Sequence, residues 1–136
     1  MKRHVGLRGA MGALITAVIV CACAYSTNPI TGKNEAYAYS WQQEIGIGRD
    51  ADKGIVQQYG IYDDAAVSEY VERIGNEVLK HSHLRREGSK QVFLDTEFHF
   101  RVLDSPVVNA FALPGGYVYV TRGLLAHIEN EAQLAV

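Results

Sequence analysis

Five histidines are the first place to look for acid–base or metal chemistry in this chain, and their spacing offers little of either. His81 and His83 are two apart, which sets them on opposite sides of a helix and on one face only if the chain is extended, so a metal pair there competes with a solvated helix end. His99 alternates with Phe98 and Phe100, which turns it away from the apolar side of a strand. His4 lies near the N-terminus and His127 in a short helical stretch. Glu131 falls in the first turn after Asn130, where a carboxylate complements the positive end of the helix dipole; that structural role outweighs a catalytic one. No glycine-rich phosphate loop follows a strand in the required frame, and no Ser-His-Asp set can be argued from spacing. What remains is main-chain chemistry. Pro114-Gly115-Gly116 reverses the chain tightly, and the next five residues alternate, Val118 and Val120 facing one way and Tyr117 and Tyr119 the other. Left at a sheet edge, such a strand offers unpaired N–H and C=O groups to an extended peptide. In a plain hairpin, the same valines fill a core and the tyrosines cap it.

The elements that must position this hairpin can be read from periodicity. The chain has 136 residues, enough for one core and too few for two. Its apolar share of 48%, charged share of 21% and net charge of -2 exclude a disordered tail and a strongly basic nucleic-acid binder. Trp41, Ile45, Gly48, Asp52, Ile55 and Tyr59 recur at three-four spacing and predict a helix, amphipathic except for the charge at Asp52. Gly46, Gly48 and Gly54 each cost ~1 kcal/mol in a helix interior, so a neighbour must pack closely there or the helix must break. Asp63 or Asp64 offers an N-cap for a second helix, whose stripe of Val67, Val71, Ile74 and Val78 ends near His81. A basic turn at Arg85 and Arg86 leads to a strand through Phe98, Phe100 and Val102, stopped at Asp104-Ser105-Pro106. Residues 107–113 form a second strand candidate. Residues 123–128 predict a short helix, and Asn130 with Gln133 an Asn-led capping box for another.

The N-terminus predicts export. Lys2, Arg3 and Arg8 precede the uncharged residues 9–24, and no acidic residue occurs before Glu35. Sixteen residues are short of the ~20 that a membrane-crossing helix needs, so a cleaved signal over residues 1–22 is the expectation. Val20-Cys21-Ala22-Cys23 resembles the bacterial lipoprotein box, which makes Cys23 the candidate lipidation site. The alternative is that both cysteines are ordinary apolar residues of the signal. Acylated at Cys23, the mature chain keeps no second thiol for a disulfide and sits on a membrane surface, with the absence of an adjacent Asp favouring the outer membrane. Residues 23–40, with Asn28-Pro29 and Thr31-Gly32, read as an extended tether, and residues 41–136 as the folded part. Without its three N-terminal cations the body carries -5, which argues further against a nucleic-acid partner.

The run Asn109-Ala110-Phe111-Ala112-Leu113-Pro114-Gly115-Gly116-Tyr117-Val118-Tyr119-Val120-Thr121-Arg122-Gly123-Leu124-Leu125, followed by Asn130-Glu131-Ala132-Gln133-Leu134-Ala135-Val136, closely resembles a segment of zinc metallopeptidases of the HtpX and BepA type, peptidase family M forty-eight. Gln58-Tyr59-Gly60 before Asp63-Asp64, and Tyr70-Val71 with Ile74-Gly75, agree with it, so the resemblance runs from about Asn28 to the end. It implies an α+β fold: N-terminal helices on a small sheet with an exposed edge strand, then the start of the active-site helix of a zincin-like metallopeptidase. It implies that the strand before that helix holds polypeptide substrate, which makes Gly116, Tyr117, Val118, Tyr119 and Val120 substrate-binding candidates. Asn109 matches too, as a residue fixing backbone near the cleft or as a simple turn residue. Such enzymes place two zinc ligands and a general base in His-Glu-x-x-His on one helix, with a Glu ligand from a later one. Neither element is present, so the expectation is an N-terminal fragment ending just before that motif, lacking its one catalytic zinc. The parent is expected to be an envelope endopeptidase in protein quality control. The alternative is a non-catalytic lipoprotein that binds unfolded or assembling clients through an edge strand.

Overall fold

Ser40 starts the first helix with a complete capping box: its Oγ accepts the Gln43 N–H, and Gln43 Oε1 accepts the Ser40 N–H at 2.7 Å. The computed structural model that shows this describes residues 24–27, 34–37 and 39–135. The helix, α1 (Trp41–Tyr59), is unbroken and stops where Gly60 takes φ 73°. Of its three interior glycines only Gly48 has a packing reason, since a Cβ there would sit 1.9 Å from Pro114 O, whereas Gly46 and Gly54 face nothing within 4 Å. Asp64 caps α2 (Ala65–Lys80), its Oδ1 accepting the Val67 N–H at 3.1 Å. The stripe buries Val71 and Ile74, but Val78 at its end is 44% exposed. A short helix α3 (Gln91–Leu94) then leads into the sheet.

The main sheet has three strands, β3 (His99–Leu103), β4 (Ala110–Leu113) and β5 (Tyr117–Thr121), in the order β3-β5-β4. β5 runs parallel to β3, with Phe100 opposite Val118, and antiparallel to β4, with Ala112 opposite Val118. Helices cover both faces. On one, Val71 of α2 packs with Val102 and Val120. On the other, Ile55 of α1 packs with Leu103, Tyr117 and Tyr119. The alternation of valines and tyrosines along β5 therefore serves two cores, one per face. Thr121 ends β5 and caps α4 (Arg122–Leu125), accepting the Leu124 N–H at 3.1 Å, and Asn130 caps α5 (Glu131–Leu134) by accepting the Gln133 N–H. This is the expected α+β arrangement of helices on a small mixed sheet.

Several boundaries differ from expectation. β1 (Ala24–Thr27) and β2 (Asn34–Tyr37) pair antiparallel, where an extended tether was expected over residues 23–40. The strand expected over residues 107–113 forms only from Ala110, because Ser105 Oγ takes the Val107 N–H and the Thr121 hydroxyl sits 2.5 Å from Val107 O, diverting the backbone from a ladder. The helix expected over residues 123–128 is Arg122–Leu125. Gln133 Oε1 reaches the Glu129 N–H at 2.8 Å instead of the Asn130 N–H, so the capping box is incomplete. The expected signal segment, Cys23 and Val136 lie outside the described residues.

Candidate functional site

The β4–β5 hairpin is held from below by α1. Its turn uses positive φ at Gly115 (78°) and Gly116 (99°), and it presses onto the helix so closely that a Cβ on Gly115 would fall 2.4 Å from Ile45 Cα. One helical turn on from Gly48, the charge at Asp52 finds its explanation. Asp52 is only 8% exposed, and its Oδ1 accepts the Tyr119 hydroxyl at 2.6 Å while Arg101 Nη2 donates to Oδ2 at 3.0 Å. Arg101 Nε lies 2.9 Å from Oδ1, an ion-pair distance without hydrogen-bond alignment. Burial first, then the Asp52 carboxylate beside it, holds the Tyr119 phenol well above the usual tyrosine range, so it is a neutral donor at every physiological pH. This network ties α1, β3 and β5 together across one face of the sheet.

The expectation that β5 itself lies at an edge is corrected by this topology. Tyr117, Val118, Tyr119 and Val120 form the central strand, bonded to β3 on one side and β4 on the other, and Tyr119 is fully buried. Gly116 belongs to the turn, its carbonyl accepting the His99 N–H at 2.9 Å. An unpaired edge runs instead along β4. The Thr121 N–H donates to Asn109 O at 3.0 Å, and the antiparallel register carries this parity along the strand. Asn109, Phe111 and Leu113 therefore turn their main-chain groups to β5, while the N–H and C=O of Ala110 and Ala112 point outward. Among the described residues no strand pairs with them. Phe111 stacks on Tyr119 at 4.9 Å between centroids, so its side chain anchors the strand to the α1 face, and the small, exposed Ala110 and Ala112 side chains lie on the other. Asn109 enters β4 with its N–H on Thr121 Oγ1 at 3.1 Å, a backbone-fixing place. The opposite edge of the sheet is bonded at its C-terminal end, where Tyr62 N–H donates to Val102 O and Asp104 N–H to Gly60 O.

On the α2 face, an apolar groove of about 340 Å³ runs between the helix and the sheet, lined by Val78, Phe98, Phe100, Val118, Leu134 and Ala135 among others. α5 stands at its rim, where Glu131 forms an exposed ion pair with Arg73 of α2 at 2.5 Å. The four described histidines have contacts of their own: His81 with Glu77, His83 with Arg86, His99 stacked on Tyr117, His127 on Gly123 O. Among the described residues no three His, Cys, Asp or Glu side chains gather as a metal site, so these residues do not fit a catalytic zinc. Ala110 and Ala112 were not singled out by sequence. The available signal was parity in residues 109–113, and it needed the pairing partner to be read.

A model of peptidase family M48 matches residues 65–136, more than half of the chain. The chain is 26% identical over 109 residues to the beta-barrel assembly-enhancing protease of Escherichia coli (strain K12), covering 80% of this chain and 20% of that protein. It is 25% identical over 107 residues to the protein of the same name from Yersinia pestis, covering 79% and 20%. The chain thus spans about a fifth of the length of the curated relatives it matches. With the β4–β5 hairpin and the capped helices that follow it inside the matched span, the chain belongs to peptidase family M48.

Proposed function

We propose that the full-length protein is a zinc-dependent endopeptidase of the bacterial envelope that holds polypeptide in extended form along the free edge of β4. The observation that carries this reading is the outward pair of Ala110 and Ala112 in a peptidase-family chain: four main-chain groups on a strand whose own register and backing are already fixed. An extended substrate lies down beside them as a further strand, its specificity set by side chains and its binding by backbone. The zinc ligands and general base follow α5 in the longer protein, on the helix that Asn130 opens, and that helix seats in the apolar groove beside Leu134. Cys23 carries the lipid anchor, with the protein facing the periplasm from the outer membrane. The described residues contain no helix long and apolar enough to cross a membrane. The relatives' name, beta-barrel assembly-enhancing protease, supports a role in envelope protein quality control.

The test has two parts. The coding sequence after Val136 is read for His-Glu-x-x-His within about ten codons, the spacing the motif needs to share the α5 helix. The full-length protein is then assayed on an unfolded protein such as casein. Cleavage that stops with a chelator and returns with zinc supports the enzyme. Client binding without cleavage, in a protein lacking the paired histidines, would replace it with the non-catalytic binder.

A further inference from the structure

Thr121 closes β5 and opens α4, and its hydroxyl is fully occupied by main-chain groups from both sides of that junction. A hydroxyl has one proton to donate and two lone pairs with which to accept. Asn109 N–H and Leu124 N–H both donate to Thr121 Oγ1, each at 3.1 Å, which fills the lone pairs. The proton has two carbonyls in reach, Val107 O at 2.5 Å and Asn109 O at 3.0 Å. Asn109 O already accepts the Thr121 N–H, so Val107 O is the acceptor left for the hydroxyl. Thr121 is only 2% exposed, so solvent does not stand in for any of these bonds.

The segment that delivers β4 is fastened to the start of α4 at further points. Gly123 N–H donates to Ser105 O at 3.0 Å, a Cβ on Gly123 would run into Pro106 O, and Arg122 Nε meets Asp104 Oδ1 at 2.5 Å. That ion pair is about half exposed and adds little, which leaves the buried hydroxyl as the polar centre of the joint. Two properties of the β4 edge depend on it. Val107 and Asn109 are drawn inward, so the outward main-chain groups begin at Ala110. The same oxygen caps α4, so the edge cannot shift without disturbing the helix start. A peptide held through its backbone needs such a fixed starting point, because the ladder itself is indifferent to register. We propose that Thr121 is a positioning residue for proteolysis: its hydroxyl fixes where the peptide-binding edge begins and ties that edge to α4, and so determines which bond of a bound polypeptide is cut. The proposal rests on the reading of β4 as the substrate strand.

Thr121→Val keeps the shape of the side chain and removes its oxygen, leaving Asn109 N–H, Leu124 N–H and Val107 O without that partner. In the full-length protein, kcat on casein should fall about 10- to 100-fold, the scale of a misplacement of about 1 Å, with KM within about threefold. Mass spectrometry of the fragments should show a broadened set of cut sites. Thr121→Ser keeps the hydroxyl and should return kcat to within about threefold of wild type, with the wild-type sites. Asp104→Asn removes the ion pair at the same joint and should also keep those sites. Amide exchange at Asn109 and Leu124 should quicken in Thr121→Val and not in Thr121→Ser. If circular dichroism shows Thr121→Val to be unfolded, Thr121→Ala, which admits water to the stranded groups without restoring the tie, is held to the same outcomes. Wild-type kcat and cut sites in the folded variant, a loss confined to KM, protected amides at both positions, a Thr121→Ser variant as impaired as Thr121→Val, or the same change of sites in Asp104→Asn would each overturn the proposal alone. No cleavage by the wild type, or unchanged kinetics in Ala112→Pro, would instead remove the underlying reading and the proposal with it, so the two failures are distinguishable.

Discussion

Replacing Tyr119 by Phe removes one oxygen from the most enclosed point of the molecule. The hydroxyl donates to Asp52 Oδ1 at 2.6 Å, and Tyr119 has no exposed surface, so water cannot take its place. Asp52 is not abandoned: Arg101 Nη2 remains on Oδ2 at 3.0 Å. The loss is therefore that of a hydrogen bond to a charged acceptor, about 1.5–3 kcal/mol, and not the larger cost of an orphaned buried charge. Urea unfolding of full-length protein at pH 7 should show a lower midpoint at unchanged slope. A second signature comes from pH. The folded-state phenol titrates above its unfolded value because burial and Asp52 oppose tyrosinate. Its contribution to stability is complete below about pH 10, the unfolded value, and is lost as pH rises from there through the folded value, at up to about 1.4 kcal/mol per pH unit. Tyr119→Phe should lack that alkaline decline. A variant as stable as wild type at pH 7, or one with the same alkaline slope, would refute the assignment of this network as the tie between α1 and the sheet.

Ala112→Pro removes an N–H that points away from β5, so kcat/KM of the full-length enzyme should fall about 2- to 13-fold for one lost main-chain bond of ~0.5–1.5 kcal/mol, with little change in unfolding midpoint. Unchanged peptide kinetics would remove β4 as the substrate strand. Gly48→Ala should destabilise by about 1–3 kcal/mol because the new Cβ meets Pro114 O, whereas Gly54→Ala, facing open space, should stabilise by up to ~1 kcal/mol; calorimetry of the two variants reads the contrast. A polypeptide of these 136 residues expressed by itself should bind less than one equivalent of zinc and melt broadly, with the groove open to an apolar dye, since a helix the length of α5 has little stability of its own. A sharp high-temperature transition or stoichiometric zinc would count against that.

The elements followed from local rules where local rules decide. The three-four stripe of Trp41 to Tyr59 and the cap at Asp64 are properties of short windows, and both helices appear as their periodicity dictates. Alternation in β5 identified the two faces correctly but not the neighbours, because period two states which side chains share a face and is silent on which backbone edge is paired. That is why the substrate-strand expectation falls on Gly116 to Val120, whereas the unpaired strand border is that of Ala110 to Leu113. Asp52 stood out as a charge on an apolar stripe. Its partners are 49 and 67 residues away, beyond any spacing rule. Gly46 and Gly54 show the limit from the other side, since no close neighbour accounts for either.

The two borders of the sheet are unequal, and this limits how copies of the chain can associate. Gly60 to Tyr62 bonds the C-terminal end of the β3 border, at Val102 and Asp104, whereas among the described residues the β4 border carries no such bond. Two molecules meeting there would each cover the outward main-chain groups of Ala110 and Ala112 on the other, so that border would be used up in the pair.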